Sequence, residues 1–295
     1  MSPFPPSRAR KTTSQHRQPC GGPMSSPDGG GLLHPREEER PRETASVLSH
    51  AMAILDGFGP VGSASLAELH ARTGMPKPTL HRQLSQMVGL GLVERSEGHG
   101  YRLGLKLFEL GQLVPEERRF RESLGPVLKA LHAETGLIVH LAVLAGADVV
   151  YVQKLEPDRG PQVASRVGGR MPSHCTAVGK ALLAHAPADV TRAVVSRGLP
   201  RHARGTIVAP NMLLRQLDDI RRRGYARDLE ESAAGIACLA APVVGQEGRP
   251  VAAISVTGWT HGLHPERTLH ALRAAASSAQ RRLDRARPER RMVAR

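Results

Sequence analysis

The sequence predicts an α+β chain with two ordered domains joined by a linking helix. Its 295 residues exceed the ~100–200 residues that are usual for a single domain. In the first ordered part, three stretches of helical periodicity are followed by a short β-hairpin. In the longer part behind it, strands, helices, strands and a final helix follow one another. That order is typical of helices packed on a mostly antiparallel sheet.

The charge is strongly positive but unevenly distributed. The formal net charge of +14 makes a polyanion such as nucleic acid a natural partner. Residues 45–121 carry 9 basic and 7 acidic groups, whereas residues 122–295 carry 25 basic and 15 acidic groups. The charge therefore supports a general attraction to nucleic acid, and it does not indicate which domain binds it.

Both ends of the chain are predicted to be tails. Residues 1–44 contain eight prolines and five glycines with almost no apolar periodicity, which predicts a disordered segment. Residues 287–295 form a basic C-terminal tail. The sequence leaves open whether translation begins at Met1 or at Met24.

The cysteines and the hydropathy pattern favour a cytoplasmic protein. The chain has an odd number of cysteines, Cys20, Cys175 and Cys238. None of them forms a CxxC pair, so a disulfide framework is not expected. No apolar run approaches the ~20 residues that a membrane-spanning helix needs. The basic N-terminus is not followed by the apolar segment of a secretory signal.

Residues 45–104 predict a winged helix-turn-helix. Apolar residues at helical spacing define a first helix that ends near Gly57: Val47, Leu48, Ala51, Ile54 and Leu55. A capping box of Ser65 and Glu68 begins a second helix, which ends at Gly74. Pro78 suits the first position of a third helix over 78–89, and strands at 92–95 and 101–103 form the hairpin or wing.

The third helix has two distinct faces. Four apolar residues lie on one side: Leu80, Leu84, Met87 and Val88. The opposite side is free to enter the major groove of double-stranded DNA, with Arg82 near its middle. Arginine can bind guanine and glutamine can bind adenine, whereas Lys77 is better placed for a phosphate. The candidate DNA-binding residues are Lys77, Pro78, Thr79, His81, Arg82, Ser85 and Gln86.

A linking helix is predicted over 105–121, with Pro115 as an interruption, and a second domain over 122–286. In that domain a helix ends at Gly136. The predicted strands lie at 137–144, 149–155, 225–228, 236–244 and 251–257, with a possible further strand at 162–167. The predicted helices lie at 174–185, 189–196, 211–223 and 265–286.

Several polar or small residues of the second domain indicate a ligand pocket. Ala177 and Gly179 are small, so a helix that begins there can offer backbone N–H groups to an anion. Polar residues also interrupt otherwise apolar strands: Asp228, Cys238, Ser255 and Thr257. If these side chains face the interior, their polar groups need hydrogen-bond partners. A bound ligand, the backbone or water could each supply them, and these alternatives stay open.

Catalytic and metal sites are not predicted. His174 and Cys175 are adjacent, so in regular structure they cannot pair as nucleophile and base. Together with Asp228 and Cys238 they match no closed zinc spacing. No phosphate loop or dinucleotide fingerprint is present, so no cofactor is expected. Two alternatives remain: an enzyme or metal-sensing domain fused to a winged helix, and a winged helix that binds protein instead of DNA.

Several motifs resemble those of the IclR family of bacterial regulators. Residues 65–69 (SLAEL), 74–84 (GMPKPTLHRQL), 90–94 (LGLVE) and 101–104 (YRLG) are similar to its DNA-binding domain. In that family a Pro-Lys-x-Thr-x-x-Arg stretch opens the recognition helix. Lys77, Thr79, His81 and Arg82 occupy this stretch, and Pro78 stands where serine is common.

The resemblance extends through the second domain. Residues 169–184 (GRMPSHCTAVGKALLA), 228–231 (DLEE) and 235–242 (GIACLAAP) are similar to the signatures of the family's GAF-like effector domain. The resemblance implies a transcriptional regulator that binds a palindromic operator as a homodimer or homotetramer. It also implies a small organic acid or aromatic effector, held by Ala177, Val178, Gly179, Asp228, Cys238, Ser255 and Thr257.

Overall fold

The structure is a computed structural model, and it describes residues 46–98, 100–245 and 248–285. The tails predicted at 1–44 and 287–295 lie outside the described residues.

The N-terminal part contains three helices and a small antiparallel sheet. The helices are α1 (Val47–Gly57), α2 (Leu66–Thr73) and α3 (Lys77–Gly89), and the strands are β1 (Ser63–Ser65), β2 (Val93–Ser96) and β3 (Gly100–Leu103). The predicted helices and the wing are confirmed. Strand β1 was not predicted, because its three residues are too few to show an alternating pattern. It pairs with β3, which lies between β1 and β2.

Local signals in the sequence fix the ends of α2. The Glu68 amide donates to the Ser65 hydroxyl over 3.2 Å, and the Ser65 amide donates to the Glu68 carboxylate over 2.8 Å. The helix ends at Gly74, whose φ of 68° lies in the left-handed region. Buried residues from all three helices and from the sheet form the local core: Ile54, Phe58, Leu69, Leu80, Leu84, Met87, Val93 and Tyr101.

The linking segment differs from the prediction. It contains two helices, α4 (Leu105–Gln112) and α5 (Pro115–Thr135), where one interrupted helix was expected. Pro115 begins α5 because its missing N–H costs nothing at a helix start. The boundary predicted at 121/122 therefore falls inside a helix. Phe120, on the linker side of that boundary, already belongs to the core of the second domain.

The second domain contains a six-stranded sheet in which every neighbouring pair is antiparallel. Its strands follow the order β6-β5-β4-β9-β8-β7. They are β4 (Ile138–Ala145), β5 (Asp148–Leu155), β6 (Arg170–Pro172), β7 (Ala226–Leu229), β8 (Ile236–Val244) and β9 (Pro250–Trp259). The predicted antiparallel sheet is confirmed.

The prediction of a strand at 162–167 was wrong. The third strand is β6, which pairs with β5. Residues 162–165 line a cavity instead of joining the sheet. A six-residue segment of mixed polarity does not distinguish a strand from a loop that is held by side-chain contacts.

Helices cover both faces of the sheet. Helix α5 and α9 (Pro265–Arg285) pack on one face, and α6 (Ala177–Leu183), α7 (Ala188–Ser196) and α8 (Pro210–Arg223) pack on the other. Side chains alternate along β9, so Ile254 and Val256 join the core under α5 and α9. Ser255 and Thr257 point to the opposite face, where α6 lies.

None of the helices in the described ranges is both long enough and apolar enough to cross a membrane.

Candidate functional site

Helix α3 presents the polar face that its sequence predicts. Leu80, Leu84 and Met87 are buried against the other helices, and Gln83 is buried beside them. Most of the predicted DNA-binding residues are exposed: Lys77, Pro78, His81, Arg82, Ser85 and Gln86. Thr79 is half-buried. That these residues contact DNA stays a prediction.

The cationic side chains of this face are not neutralised locally. Within the described ranges, no carboxylate lies at ion-pair distance from Lys77 or Arg82. The Ser85 hydroxyl donates to the backbone carbonyl of His81 over 2.9 Å, which leaves its oxygen lone pairs for a donor from outside the helix. The face therefore carries positive charge that is available to an anionic partner.

The second domain contains a cavity of about 80 Å³ between the sheet and the start of α6. It brings together six of the seven predicted effector-binding residues: Ala177, Val178, Asp228, Cys238, Ser255 and Thr257. Sequence reasoning missed several other polar residues on its wall, among them His140, Tyr151, Gln162, Ser165 and Ser232.

Strand register explains why these residues meet. Asp228 lies opposite Cys238 on β7 and β8, and Cys238 lies opposite Thr257 on β9. His140 on β4 lies opposite Ser255 on β9. Neighbouring strands are ~4.8 Å apart, so each row places polar groups from adjacent strands within reach of one small ligand.

Gly179 is the one predicted effector-binding residue that does not line this cavity. Its N–H donates to the Thr176 hydroxyl over 3.2 Å and is not available to a ligand. A Cβ atom at this position would lie 2.2 Å from the backbone oxygen of Ser173. Glycine is required here because α6 begins against the preceding turn.

We therefore expect Gly179→Ala to destabilise the domain by about 1–3 kcal/mol, the usual cost of overpacking. The atom that it would contact belongs to the backbone and cannot rotate away. Thermal unfolding followed by circular dichroism measures this effect. Gly111→Ala is the control, because a Cβ atom there meets nothing within 4 Å. Equal melting temperatures for the two variants would contradict the close approach.

Asp228 is fully buried and organises one edge of the cavity. Its carboxylate accepts from the Glu231 amide over 2.8 Å and from the Ser232 hydroxyl over 2.6 Å. Burial raises the pKa of Asp228, and these hydrogen bonds oppose the rise. The protein itself thus supplies the donors that a buried carboxylate needs.

His140 lies between two serines. Its Nε2 is 2.8 Å from the Ser165 hydroxyl, and its Nδ1 is 3.3 Å from the Ser255 hydroxyl. Burial, assisted by the charge of Lys154, lowers the pKa of His140 to about 3. The imidazole is therefore neutral near pH 7, and it holds the loop at Ser165 against β9.

We expect the His140 ring to stay neutral between pH 8 and pH 5 in the folded protein. Because its folded pKa lies below that of the unfolded chain, His140 lowers the free energy of unfolding as the pH falls below about 6.5. The loss continues until the pH approaches about 3. Ring chemical shifts measured by NMR across this range check the prediction, and a midpoint between pH 5 and pH 8 would contradict it.

Both described cysteines are protonated thiols. The Cys238 sulfur accepts from the Thr257 hydroxyl over 3.1 Å, and burial raises the pKa of Cys238. Burial also raises the pKa of Cys175 to about 12. The nucleophilic form of cysteine is the thiolate, so neither thiol is activated for attack.

A buried ion pair beside the cavity was not predicted from the sequence. Lys180 of α6 is fully buried and pairs with Glu231. The other carboxylate oxygen of Glu231 has no hydrogen-bond partner within the described part of the chain. The Thr206 hydroxyl donates to the Glu231 carbonyl over 2.6 Å, so this pair also connects α6 to the segment that follows α7.

The four residues considered as zinc ligands do not come together as one group. Asp228 and Cys238 line the cavity. His174 and Cys175 lie in the turn before α6, and there they group with His202.

Comparisons with known proteins agree with this arrangement. The family model described as "IclR helix-turn-helix domain" matches residues 47–97. The model described as "Bacterial transcriptional regulator IclR C-terminal" matches residues 114–285. The regulator KdgR of Dickeya chrysanthemi is 34% identical over 222 residues, which cover 75% of this chain and 72% of the relative. The transcriptional repressor IclR of Escherichia coli is 33% identical over 67% of this chain and 73% of the relative.

Solved structures show the same fold. An IclR homolog from Microbacterium hydrocarbonoxydans, complexed with 4-hydroxybenzoate, is 29% identical and superposes with a TM-score of 0.76. The match covers 82% of this chain and all of that structure. Thermotoga maritima IclR is 31% identical with a TM-score of 0.64, over 80% of this chain and 98% of that structure. The chain therefore belongs to the IclR family of bacterial transcriptional regulators, which join a DNA-binding helix-turn-helix domain to an effector-binding domain.

Proposed function

We propose that this regulator places α3 in the major groove of an operator and that a small molecule in the cavity beside α6 changes its affinity for DNA. One observation carries the proposal: the cavity brings together six residues that the sequence selected as effector contacts. The effector acts by binding one of two conformations more tightly, because only differential affinity can shift a conformational equilibrium.

In this proposal different residues on the polar face of α3 contact the bases and the phosphates of the operator. Arg82 lies exposed at its centre and contacts a guanine edge, and Gln86 lies one turn further along the helix. Lys77 lies at the helix start, where it contacts a phosphate. The rest of the DNA-contacting surface consists of Thr79, His81 and Ser85. Pro78 also lies on this surface, but it has no hydroxyl group with which to form a hydrogen bond.

The cavity favours a small organic acid or aromatic effector. None of the described residues on its wall is Lys or Arg, so a carboxylate would be held by hydroxyl groups and by the amides of Ala177 and Val178. No described acceptor occupies these two amides. The Microbacterium homolog holds 4-hydroxybenzoate, a ligand of this class. Because 80 Å³ is less than a typical ligand pocket of roughly 300 Å³, the cavity must widen when a ligand of this class binds.

We propose that the protein acts as a homodimer or homotetramer on a palindromic operator. Helix α1, helix α4 and the residue that follows α4 expose large apolar side chains that a monomer would leave in water: Val47, Leu48, Met52, Leu105, Phe108, Leu110 and Leu113. Large exposed apolar side chains are typical of protein–protein interfaces where they form a contiguous patch. A symmetric dimer presents two copies of α3, and two-fold symmetry in the protein implies a palindrome in the DNA.

We propose further that the chain is not an enzyme and works in the cytoplasm. The thiols are protonated, and His140 with its low pKa is too weak a base to activate Ser165 or Ser255. Within the described residues, no carboxylate hydrogen-bonds to His140 to orient it. Free thiols fit a reducing compartment.

The deciding experiment is to sequence the genomic DNA fragments that the purified protein retains, with and without candidate organic acids. We expect a recurring palindromic sequence whose recovery changes with one class of acid. Retention of random fragments under all conditions would contradict sequence-specific recognition.

We expect Ser255→Ala to shift the effector concentration needed for half-maximal response by several-fold, since one hydrogen bond contributes about 1 kcal/mol. The affinity of the ligand-free protein for operator should stay unchanged. Operator binding measured across an effector titration tests both points. Ser277→Ala, on the exposed face of α9, is the matched control. Identical effector curves for the two variants would place the effector site elsewhere.

A further inference from the structure

The turn before α6 and the segment after α7 bring three metal-ligating side chains together. One ligand atom of each of His174, Cys175 and His202 lies within 4.8 Å of the other two. His174 and Cys175 are buried, whereas His202 is exposed. The sequence analysis did not select His202, because 27 residues separate it from Cys175 and no spacing pattern connects them.

A backbone contact of His174 determines which of its ring nitrogens can bind an ion. Its Nε2 is 3.0 Å from the backbone oxygen of Pro200. A carbonyl can only accept, so Nε2 carries the proton and Nδ1 keeps its lone pair. A hydrogen bond from the second ring nitrogen to a carbonyl is the usual way in which proteins orient a ligating histidine.

The segment that carries His202 is fixed through its backbone. The amides of His202 and Ala203 both donate to the Thr206 hydroxyl, over 3.0 and 2.8 Å. Thr206 donates in turn to the Glu231 carbonyl over 2.6 Å. The backbone is therefore anchored while the imidazole remains exposed, so an ion can enter from solvent and the ring can turn toward it.

The three ligand atoms favour a divalent transition-metal ion that is intermediate between hard and soft. Two imidazoles and one thiolate suit Zn²⁺ and its spectroscopic substitute Co²⁺, and do not suit Mg²⁺ or Ca²⁺. In a tetrahedral site with bonds of about 2.0–2.3 Å, ligand atoms lie about 3.3–3.8 Å apart. From the observed spacing of up to 4.8 Å, the ligand atoms would approach one another by up to about 1.0–1.5 Å to reach this geometry.

We propose that His174, Cys175 and His202 bind a divalent transition-metal ion such as Zn²⁺, with water in the fourth position. On binding, the Cys175 thiol releases its proton to solvent as the sulfur–metal bond forms, so metal affinity increases with pH. The site is distinct from the effector cavity and adjoins it, because Cys175 lies two residues before Ala177 on the cavity wall. A bound ion therefore stabilises the turn from which that wall begins.

Titration of the full-length protein with Co²⁺ tests the site. The titration uses a Cys20→Ser background to remove the thiol that lies outside the described residues. We expect one Co²⁺ per chain, with a sulfur-to-cobalt charge-transfer band and the strong visible bands of tetrahedral coordination. His202→Ala should weaken binding by at least about tenfold, since even outer partners of metal ligands change affinity by that factor. His270→Ala removes another exposed histidine and should bind like the parent.

Thermal unfolding with Zn²⁺ supplies a second measurement. An ion that binds only the folded chain raises the melting temperature, and this increase should disappear in His202→Ala. Because His202 is exposed, its replacement leaves the core intact, so loss of binding cannot be attributed to misfolding. The absence of a thiolate band in the parent protein, or unchanged Co²⁺ binding in His202→Ala, would overturn the proposal.

Discussion

Replacement of Lys180 by methionine is expected to destabilise the protein by about 3–5 kcal/mol at pH 7, the usual cost of removing one partner of a buried ion pair. Lys180 is fully buried and Glu231 nearly so. Methionine has a similar length, so the change removes the charge with little change in packing. Chemical unfolding followed by circular dichroism measures the loss of free energy.

The pH dependence of this variant identifies the cause. Burial raises the pKa of Glu231, and the charge of Lys180 opposes that rise. Without Lys180 the pKa rises further, so Glu231 takes up a proton more readily in the folded state than in the unfolded chain. The folded state is then favoured at low pH, and its stability falls as the pH rises through the folded pKa. We therefore expect Lys180→Met to lose less stability at pH 5 than at pH 7.

Two controls separate this effect from lost packing. Lys106→Met removes an exposed lysine that pairs with Glu109 over 3.0 Å, and we expect little change because solvent screens such pairs. The double variant Lys180→Met, Glu231→Gln removes both charges of the pair and should recover part of the loss. If Lys106→Met and Lys180→Met are equally stable, the buried pair does not contribute as proposed.

The parts of the fold that local chemistry specifies could be predicted from the sequence. The capping box at Ser65 and Glu68 and the glycine at Gly74 define the ends of α2, because capping needs only neighbouring residues. Strand β1 and strand β6 were missed, since three residues cannot show a period of two. Pro115 was identified, but whether a proline interrupts one helix or begins the next depends on tertiary packing.

The cavity could be predicted in part for a similar reason. Polar residues in apolar strands selected Asp228, Cys238, Ser255 and Thr257, and all four line the cavity. The same criterion applies to His140 and would have found it. The ion pair between Lys180 and Glu231 could not be predicted from the local sequence. The two residues are 51 positions apart, and each is of a type that usually lies on the surface.

The recognition helix supplies the other large expected effect. Arg82→Ala should weaken specific operator binding by about 1–3 kcal/mol, the contribution of one bidentate arginine–guanine contact. Arg82 is exposed at the centre of the polar face of α3, and no described carboxylate neutralises it. Its side chain packs against nothing in the core, so the stability of the variant should match that of the parent.

Comparison with Lys77→Ala distinguishes base recognition from charge attraction. Lys77 lies at the start of α3 and is proposed to contact a phosphate, so its removal should weaken binding to operator and to random DNA by the same factor. Arg82→Ala should weaken operator binding more than binding to random DNA. The affinities of both variants for the two DNAs at several salt concentrations provide the test, since a lost phosphate contact also reduces the salt dependence. Equal losses on both DNAs in Arg82→Ala would assign Arg82 to the phosphate backbone, and base recognition would then belong to Gln86 or another residue of the face.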